Sequence, residues 1–160
     1  MSWDAAWPAS VVGPLLVSLR SASEIDYPAI KRLIKEVGIN PTGLDWHRFI
    51  VATTSSGAFA GCGQLKPHSD GSLEMASIAV MPLLQNQGLG GIMIRKLISD
   101  ARFPLYLTCR SQLESYYKQF GFRIASDDEL PKYFLRLRRL AGVISALHII
   151  NERMLVMVLD

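Results

Sequence analysis

The chain has 160 residues, of which 49% are hydrophobic and 19% are charged, and this excludes a disordered or collagen-like chain. Its length predicts a single domain over residues 1–160, in which residues 1–13 form a loose N-terminal arm. Seventeen basic and fourteen acidic residues give a net charge of +3, which does not indicate a nucleic-acid-binding protein.

The first half of the chain predicts four strands and one helix. Ser23 followed by Asp26 is a helix-capping signal, and the apolar residues after it recur at helical spacing until Gly38. Short turns rich in serine and glycine separate the later strands and predict antiparallel hairpins. The predicted strands span residues 15–20, 47–53, 58–66 and 73–81.

The second half predicts three helices and three strands. The strand–helix–strand unit from 73 to 109 is long enough for a parallel crossover, so the sheet is mixed. Ser111 is a candidate cap for the second of these helices, and residues 126–129 are a candidate cap for the third, which spans 131–147. The predicted fold class is α/β, with about seven strands, including 105–109, 122–125 and 153–159, and four helices.

Residues 85–91 (QNQGLGG) connect a buried strand to an amphipathic helix and predict an anion site. The N–H groups of a first helical turn have no partner within the helix, and the helix dipole favours negative charge there. Glycines let a phosphate approach the backbone closely. No lysine follows them as in a P-loop, and Met93 replaces the third glycine of a dinucleotide-binding fingerprint.

The pattern Gln85-x-x-Gly88-x-Gly90 resembles the acetyl-coenzyme A signature of the GNAT superfamily of N-acyltransferases. The strand before it, which ends at Pro82, is similar to the fourth strand of that family, and Tyr117 to Phe122 is similar to its Y-x-x-x-G-F element. The resemblance implies a GNAT-like sheet of mostly antiparallel strands that splay apart between strands 4 and 5. It also implies acetyl-CoA as co-substrate.

The resemblance further implies where the cofactor binds. The pantetheine arm is expected to lie along strand 4, and the pyrophosphate on the amides that begin the next helix. The family often has an asparagine near the start of the helix that carries the tyrosine, and a serine is the candidate substitute here. The implied cofactor-binding residues are Ile78, Ala79, Val80, Gln85, Asn86, Gln87, Gly88, Leu89, Gly90, Gly91, Ser111 and Ser115.

Two residues are candidates for proton transfer. Glu74 stands in an otherwise apolar strand, where one branch of the family has the glutamate that deprotonates the amine, usually through water. The alternative is that Glu74 points to solvent or pairs with a neighbouring lysine. Tyr117 has the position of the acid that protonates the coenzyme A thiolate. The alternative is that Tyr117 belongs to a core stripe with Tyr116 and Phe120.

The resemblance therefore predicts an N-acetyltransferase that acetylates a primary amine of a small molecule or peptide by direct attack in a ternary complex. The alternative is a non-catalytic acyl-CoA-binding sensor, and a third hypothesis is a nucleotide-binding domain that uses the glycine loop alone. The segment 126–152 is longer than the usual connection in the family. It is expected to lie on the acceptor side and to shape the substrate pocket or a homodimer surface.

Several kinds of site are not predicted by the sequence. Cys62 and Cys109 are far apart and are interpreted as buried thiols in a reducing compartment. The three histidines are isolated along the chain, so no metal site is expected. No apolar segment reaches the roughly 20 residues of a membrane span, and no basic residue precedes the short apolar run 11–17. We therefore expect a cytoplasmic protein without a membrane partner.

Overall fold

The computed structural model describes residues 16–146 and 153–160, which form one seven-stranded sheet with four α-helices. The predicted α/β class and mixed sheet are confirmed. The predicted arm 1–13 lies outside the described residues, as does the end of the last predicted helix. The strands are β1 (Val17–Ser21), β2 (Phe49–Thr54), β3 (Phe59–Pro67), β4 (Leu73–Val80), β5 (Leu105–Arg110), β6 (Arg123–Ile124) and β7 (Met154–Leu159). The helices are α1 (Tyr27–Glu36), α2 (Leu89–Asp100), α3 (Glu114–Lys118) and α4 (Lys132–Ala146).

The sheet has the order β1-β2-β3-β4-β5-β7-β6 and is antiparallel except between β4 and β5. The predicted parallel crossover through α2 is therefore confirmed. The β4–β5 ladder contains only the pairs Leu73–Leu105 and Glu74–Tyr106. Beyond Glu74 the two strands separate, which confirms the splay that the family resemblance implies.

Successive side chains of each strand alternate in direction, and this divides the apolar core between the two faces of the sheet. Ile50 and Ala52 pack with the apolar face of α2, whereas Phe49 and Val51 pack with α1. Side chains of successive strand residues point to opposite faces, so one strand serves both helices. A third cluster is built around Phe134, which joins α4 to the β5–β7 region. Burial of these apolar surfaces holds α4 beside the place where β4 and β5 separate.

The beginnings of some elements differ from the prediction. His47 lies in a 3-10 turn, Trp46–Arg48, because the carboxylate of Asp45 accepts the backbone N–H of His47 at 3.2 Å, and β2 begins only at Phe49. Ser111 begins a 3-10 turn before α3 and its side chain caps nothing there. Capping by Ser23 and Asp26 is confirmed.

Residues 126–129 form a capping box that closes only their own 3-10 turn, Asp127–Glu129. The first turn of α4 is capped from a distant part of the chain instead. The carboxylate of Asp70, in the β3–β4 turn, accepts the backbone N–H of Tyr133 at 2.8 Å. Within the described ranges, no helix is both long and apolar enough to cross a membrane.

Candidate active site

A cleft of about 1200 Å³ opens where β4 and β5 separate. Its base includes residues 74–78 of β4 and 108–110 of β5. One wall is the segment that follows α1, residues 37–42, and the opposite wall is α4. Glu74 and Tyr117, which the sequence could only propose separately, both line this cleft.

A β-bulge in β4 shapes the base of the cleft. Ala76 pairs with Gln64 and Ala79 pairs with Cys62, so β4 has one residue more than β3 between these pairs. Ser77, in the bulge, has φ of 56°, a left-handed conformation that is rare outside glycine. A bulge bends its strand and increases the local twist. The bulge therefore bends the end of β4 within the stretch that forms the base of the cleft.

Two contacts hold the strained backbone of Ser77. The buried side chain of Gln64 donates from Nε2 to Oγ of Ser77 at 2.9 Å, and the thiol of Cys62 contacts the carbonyl oxygen of Ser77 at 3.8 Å. Strained residues persist only where the surrounding structure fixes them, and they concentrate at functional sites. The bulge and its two supports were not predicted, because nothing in the local sequence distinguishes a bulged strand from a regular one.

The glycine loop at the end of β4 has the geometry of an anion site. Asn86 and Gly88 both have positive φ, of 60° and 82°, and they turn the chain sharply into α2. The first backbone bond of the helix is donated by Ile92 to the carbonyl oxygen of Gly88, and no side chain caps the helix among the described residues. The N–H groups of Leu89, Gly90 and Gly91 are therefore directed out of the helix end, as the sequence predicted.

The glutamines of the loop bind the protein's own backbone. Nε2 of Gln85 donates to the carbonyl oxygen of Val80 at 3.1 Å, and Nε2 of Gln87 donates to that of Leu83 at 3.3 Å. These bonds fold the loop back on the end of β4, and they give both side chains a structural role. Ser111 and Ser115 are exposed, and the backbone N–H of Ser111 donates to the carbonyl oxygen of Arg153 at 2.9 Å.

Glu74 is one half of a buried pair. Its side chain is 7% exposed, and Oε2 lies 2.8 Å from Nε2 of His68, whose side chain is 6% exposed. Its other oxygen, Oε1, accepts the hydroxyl of Thr108 at 3.1 Å. Both alternatives named for Glu74, solvent exposure or a lysine partner, are therefore excluded. A buried carboxylate needs such partners, because an unpaired one carries a large desolvation cost.

Helix α4 covers this pair. The ring of Tyr133 stacks on the ring of His68 with centroids 3.5 Å apart, and Phe134 meets the same ring edge-on at 5.5 Å. The bond from Asp70 to the N–H of Tyr133 joins the start of α4 to the β3–β4 turn, close to His68. The described part of the segment after residue 126 lines the cleft through α4, and its role on the acceptor side stays a prediction.

Tyr117 lies in α3, and its ring packs against the main core while the residue lines the cleft. Its ring contacts Phe122 and Tyr116 edge-on, at centroid distances of 6.1 and 5.4 Å. Burial raises the pKa of the Tyr117 hydroxyl, so the group stays protonated through the neutral range. Tyr116 is more exposed, and its hydroxyl lies 3.0 Å from where a Cβ on Gly90 would stand.

His68, Thr108 and Tyr133 are the site residues that sequence analysis missed. They come from the residue after β3, from β5 and from α4, so no local motif joins them. The one available signal was that His68 lies six residues before Glu74, on the other arm of a predicted hairpin. Both cysteines are free and buried, as expected. Within residues 16–146 and 153–160, no cluster of three or more potential ligands is placed to hold a metal ion.

Comparisons with known proteins agree with this geometry. The family model of the acetyltransferase (GNAT) domain matches residues 45–124, which is half of the chain. Among curated proteins, none matches the chain. N-acetylglutamate synthase from Neisseria gonorrhoeae, solved with coenzyme A and N-acetyl-glutamate, is 27% identical with a TM-score of 0.68. The match covers 91% of this chain but 35% of that one, so this chain spans about a third of that enzyme's length.

Two further structures share the fold at lower identity. Rv2747 from Mycobacterium tuberculosis, solved in complex with CoA, is 20% identical with a TM-score of 0.67, over 89% of this chain and 99% of that chain. Escherichia coli ElaA is 13% identical with a TM-score of 0.65, over 91% of this chain and 100% of that chain. With the family model, the splayed strands and the glycine loop, these matches lead to one conclusion: the chain belongs to the GNAT acetyltransferase family.

Proposed function

We propose that the protein is an N-acetyltransferase that transfers the acetyl group of acetyl-CoA to a primary amine by direct attack in a ternary complex. The observation that carries this proposal is the gap between β4 and β5 beyond Glu74, which continues into the uncapped start of α2. An extended ligand with an anionic end fits a gap beside a strand that leads to free backbone N–H groups.

The chain's own groups fit coenzyme A. The amides of Gln87, Leu89, Gly90 and Gly91, together with Gly88, would hold the pyrophosphate, with the side chain of Asn86 at the left-handed turn. Gly90 leaves room there, because a Cβ at this position would meet the hydroxyl of Tyr116 at 3.0 Å. Gln85 would act through the loop that it folds rather than through a phosphate.

The backbone of β4 would hold the rest of the cofactor. Ile78 belongs to the bulge, and Ala79 and Val80 follow it. All three lie where β4 has left β5, so their backbone groups would bind the pantetheine arm. Ser111 and Ser115, both exposed on the α3 side, are the proposed substitutes for the family's asparagine. When bound, acetyl-CoA supplies the acetyl group as a reactive thioester.

Glu74 is the proposed general base. A free alkylamine is mostly protonated at neutral pH, so it must lose a proton before it can attack. Glu74 lines the cleft; among the described residues, its Oε1 accepts the hydroxyl of Thr108 and its Oε2 is held by His68. A carboxylate has about four acceptor positions, so it retains capacity for an ammonium group or a water. His68 acts as a positioning residue that fixes the carboxylate.

Tyr117 is the proposed general acid. Glu74 first takes the extra proton of the ammonium group and releases it to solvent. As the new C–N bond forms and the C–S bond breaks, a second proton passes from the nitrogen to Glu74, and the departing sulfur receives a proton from the Tyr117 hydroxyl, which solvent then restores. Backbone N–H groups near Ile78 would stabilise the negative charge that develops on the thioester oxygen. The raised pKa of Tyr117 keeps the proton available at neutral pH.

The experiment measures binding and turnover separately. We expect acetyl-CoA to raise the melting temperature of the protein, whereas ATP and NAD leave it unchanged. Incubation with acetyl-CoA and a panel of amino acids, polyamines, amines and peptides is then followed by free thiol release and by mass spectrometry of the products. An acetylated amine supports the proposal. Stabilisation by acetyl-CoA with slow CoA release and no product would instead support a non-catalytic acyl-CoA sensor.

A further inference from the structure

The charge distribution around the cleft is one-sided. Among the described residues that line the cleft, four are cationic and one, Glu74, is acidic. The cations come from β3, from the end of β5, from α4 and from the residue before β7, so no single stretch of sequence carries them. They are Lys66, Arg110, Arg138 and Arg153.

Two of these cations stand at opposite walls. Lys66 is the cross-strand partner of Glu74 in the β3–β4 ladder, and its Nζ lies 3.4 Å from the carbonyl oxygen of Thr42 in the 37–42 wall. Arg138 belongs to α4, which is the other wall. A ligand between these walls therefore has a cation on both sides and the buried carboxylate of Glu74 at the base.

Arg138 is held in place before any ligand binds. Its Nη1 is 2.8 Å from Oδ1 of Asp127 and 3.3 Å from the carbonyl oxygen of Ala125. In the part of the chain that the structure describes, both contacts use Nη1, so Nη2 and Nε are left to donate to a ligand. Two parallel N–H donors match the two oxygens of a carboxylate, which is the strongest common use of a fixed guanidinium.

Arg153 adds a second cation at the rim. The backbone of Arg153 is fixed because its carbonyl oxygen accepts the N–H of Ser111 at 2.9 Å. Arg153 itself is exposed. A side chain in this position loses little hydration in reaching an anion on a ligand that enters the cleft. Amines with a second positive charge are disfavoured by the same cations.

From this arrangement we propose that the acceptor is a small amine that carries a carboxylate, such as a free amino acid. Its amino group lies at Glu74, and its carboxylate is bound by Arg138 with the help of Arg153. This inference rests on the proposed function and names the substrate class of the same site. Diamines and peptide N-termini, which lack a carboxylate near the amine, are the substrates that it disfavours.

The test compares matched acceptors with the wild-type protein. Each of the common L-amino acids is paired with its carboxamide, which keeps the amine and side chain but removes the negative charge, and putrescine and a neutral tetrapeptide amide are added. We expect at least one free amino acid to be acetylated with kcat/KM about tenfold or more above its carboxamide, the loss typical of a charge-assisted hydrogen bond. Carboxamides, putrescine or the peptide used equally well or better would overturn the inference but leave the proposed function intact.

Variants separate recognition from folding. Arg138→Gln and Arg153→Gln should each raise KM for the preferred amino acid about tenfold, and they should change kcat/KM for its carboxamide much less. Arg138→Lys keeps the charge but loses the two parallel N–H donors of the guanidinium, and it should raise KM for the preferred amino acid by a smaller factor. Arg139→Gln, on the exposed side of the same helix, is the matched control and should match the wild type.

A binding measurement makes the inference independent of turnover. In the presence of CoA, calorimetry should detect at least one N-acetylated amino acid that binds more weakly to Arg138→Gln than to Arg139→Gln. The carboxamide of the same ligand should bind more weakly to the wild-type protein than the free acid does. If no amine is acetylated but this binding is found, the proposed function fails and the inference about the cleft stands. Equal binding to both variants, or absence of binding by every N-acetylated amino acid, would overturn it.

Discussion

The two ends of the cleft are built in different ways. The proposed cofactor end is mostly contiguous: apart from Ser111 and Ser115, it consists of the end of one strand, one glycine loop and the first turn of one helix, within residues 78–91. The acceptor end is assembled from the 37–42 segment, the end of β3, β5, α4 and the start of β7. The cofactor end presents mainly backbone groups to its proposed ligand, whereas the acceptor end presents mainly side chains. A cofactor that stays the same can be bound by backbone geometry, whereas acceptor choice requires side chains that can vary.

This comparison predicts that substitutions at one end leave the other intact. The largest effect is expected from Gly90→Asp, which places a carboxylate against the proposed pyrophosphate. Repulsion between charges about 4 Å apart near a surface is about 4 kcal/mol, so the Kd of acetyl-CoA should rise about a thousandfold. Titration calorimetry measures this Kd. An acidic residue at a helix start favours the helix, so the melting temperature should not fall.

Two controls accompany this variant. Gly90→Ala adds a Cβ beside Tyr116 without a charge, and Ser99→Asp adds the same charge near the other end of α2. Both should bind acetyl-CoA far better than Gly90→Asp does. Unchanged affinity in Gly90→Asp would mean that the glycine loop does not hold the pyrophosphate.

The second effect belongs to the acceptor end. Glu74→Gln keeps the shape of the side chain but removes the base, so kcat should fall about a hundredfold, within the usual range for proton transfer by a positioned group. The Kd of acetyl-CoA should be unchanged, because Glu74 lies before the strands separate. Glu36→Gln, an exposed carboxylate at the end of α1, is the control. Full activity in Glu74→Gln would remove this residue from the mechanism.

Tyr117→Phe should lower kcat about tenfold, less than the loss of the base, because a thiolate is already a good leaving group. Since burial raises the pKa of Tyr117, the wild-type hydroxyl remains an acid as the pH rises past the ordinary tyrosine value of about 10. A pH–rate profile should therefore show no alkaline loss from this group. Tyr116→Phe should retain kcat; if it instead shows the larger loss, the two tyrosines have been assigned the wrong way round.

His68→Gln should lower kcat only about threefold to tenfold, because an amide can still donate to Glu74 but does not fill the stack beneath Tyr133. KM for acetyl-CoA should not change. His68→Ala removes both the contact with Glu74 and the stack with Tyr133, and it should lower kcat further. If both variants had the same kcat as the wild type, His68 would have no positioning role.

The smallest effect concerns the docking of α4. Asp70 accepts bonds from Tyr133 and Ser72, chiefly from the Ser72 side chain, and these hold its pKa down at about 2. A lowered pKa in the folded state means stabilisation that is present above the unfolded value of about 4 and is lost as the pH falls toward 2. Asp70→Ala should therefore lower the melting temperature at pH 7 by about 2–4 °C, typical of a lost cap, and the difference from wild type should shrink toward pH 2.

Hydrogen exchange locates this effect. Amides at the start of α4 should exchange faster in Asp70→Ala, whereas those of α2 should not. Asp100→Ala, which removes an exposed ion pair with Lys96, is the control and should change the melting temperature very little. Faster exchange throughout the sheet would show that Asp70 supports the whole fold rather than the acceptor wall.

The sequence by itself determined the α/β class, the order of the elements, the crossover and the position of the glycine loop. Each of these is local: hydrophobic period, turn residues and helix starts are decided by neighbours along the chain. Glu74 and Tyr117 were named from resemblance to the family, and nothing in the local pattern indicated which groups surround them.

Tertiary structure alone decided the bulge at Ser77, the partnership of Glu74 with His68 and Thr108, and the capping of α4 by Asp70. It also decided that, among the described residues, cations from four separate segments line the same cleft as Glu74. A hydrogen bond or a charge contact depends on distance in space, and the residues concerned are brought together only when the sheet pairs and the helices pack. These contacts therefore cannot be predicted from periodicity along the chain.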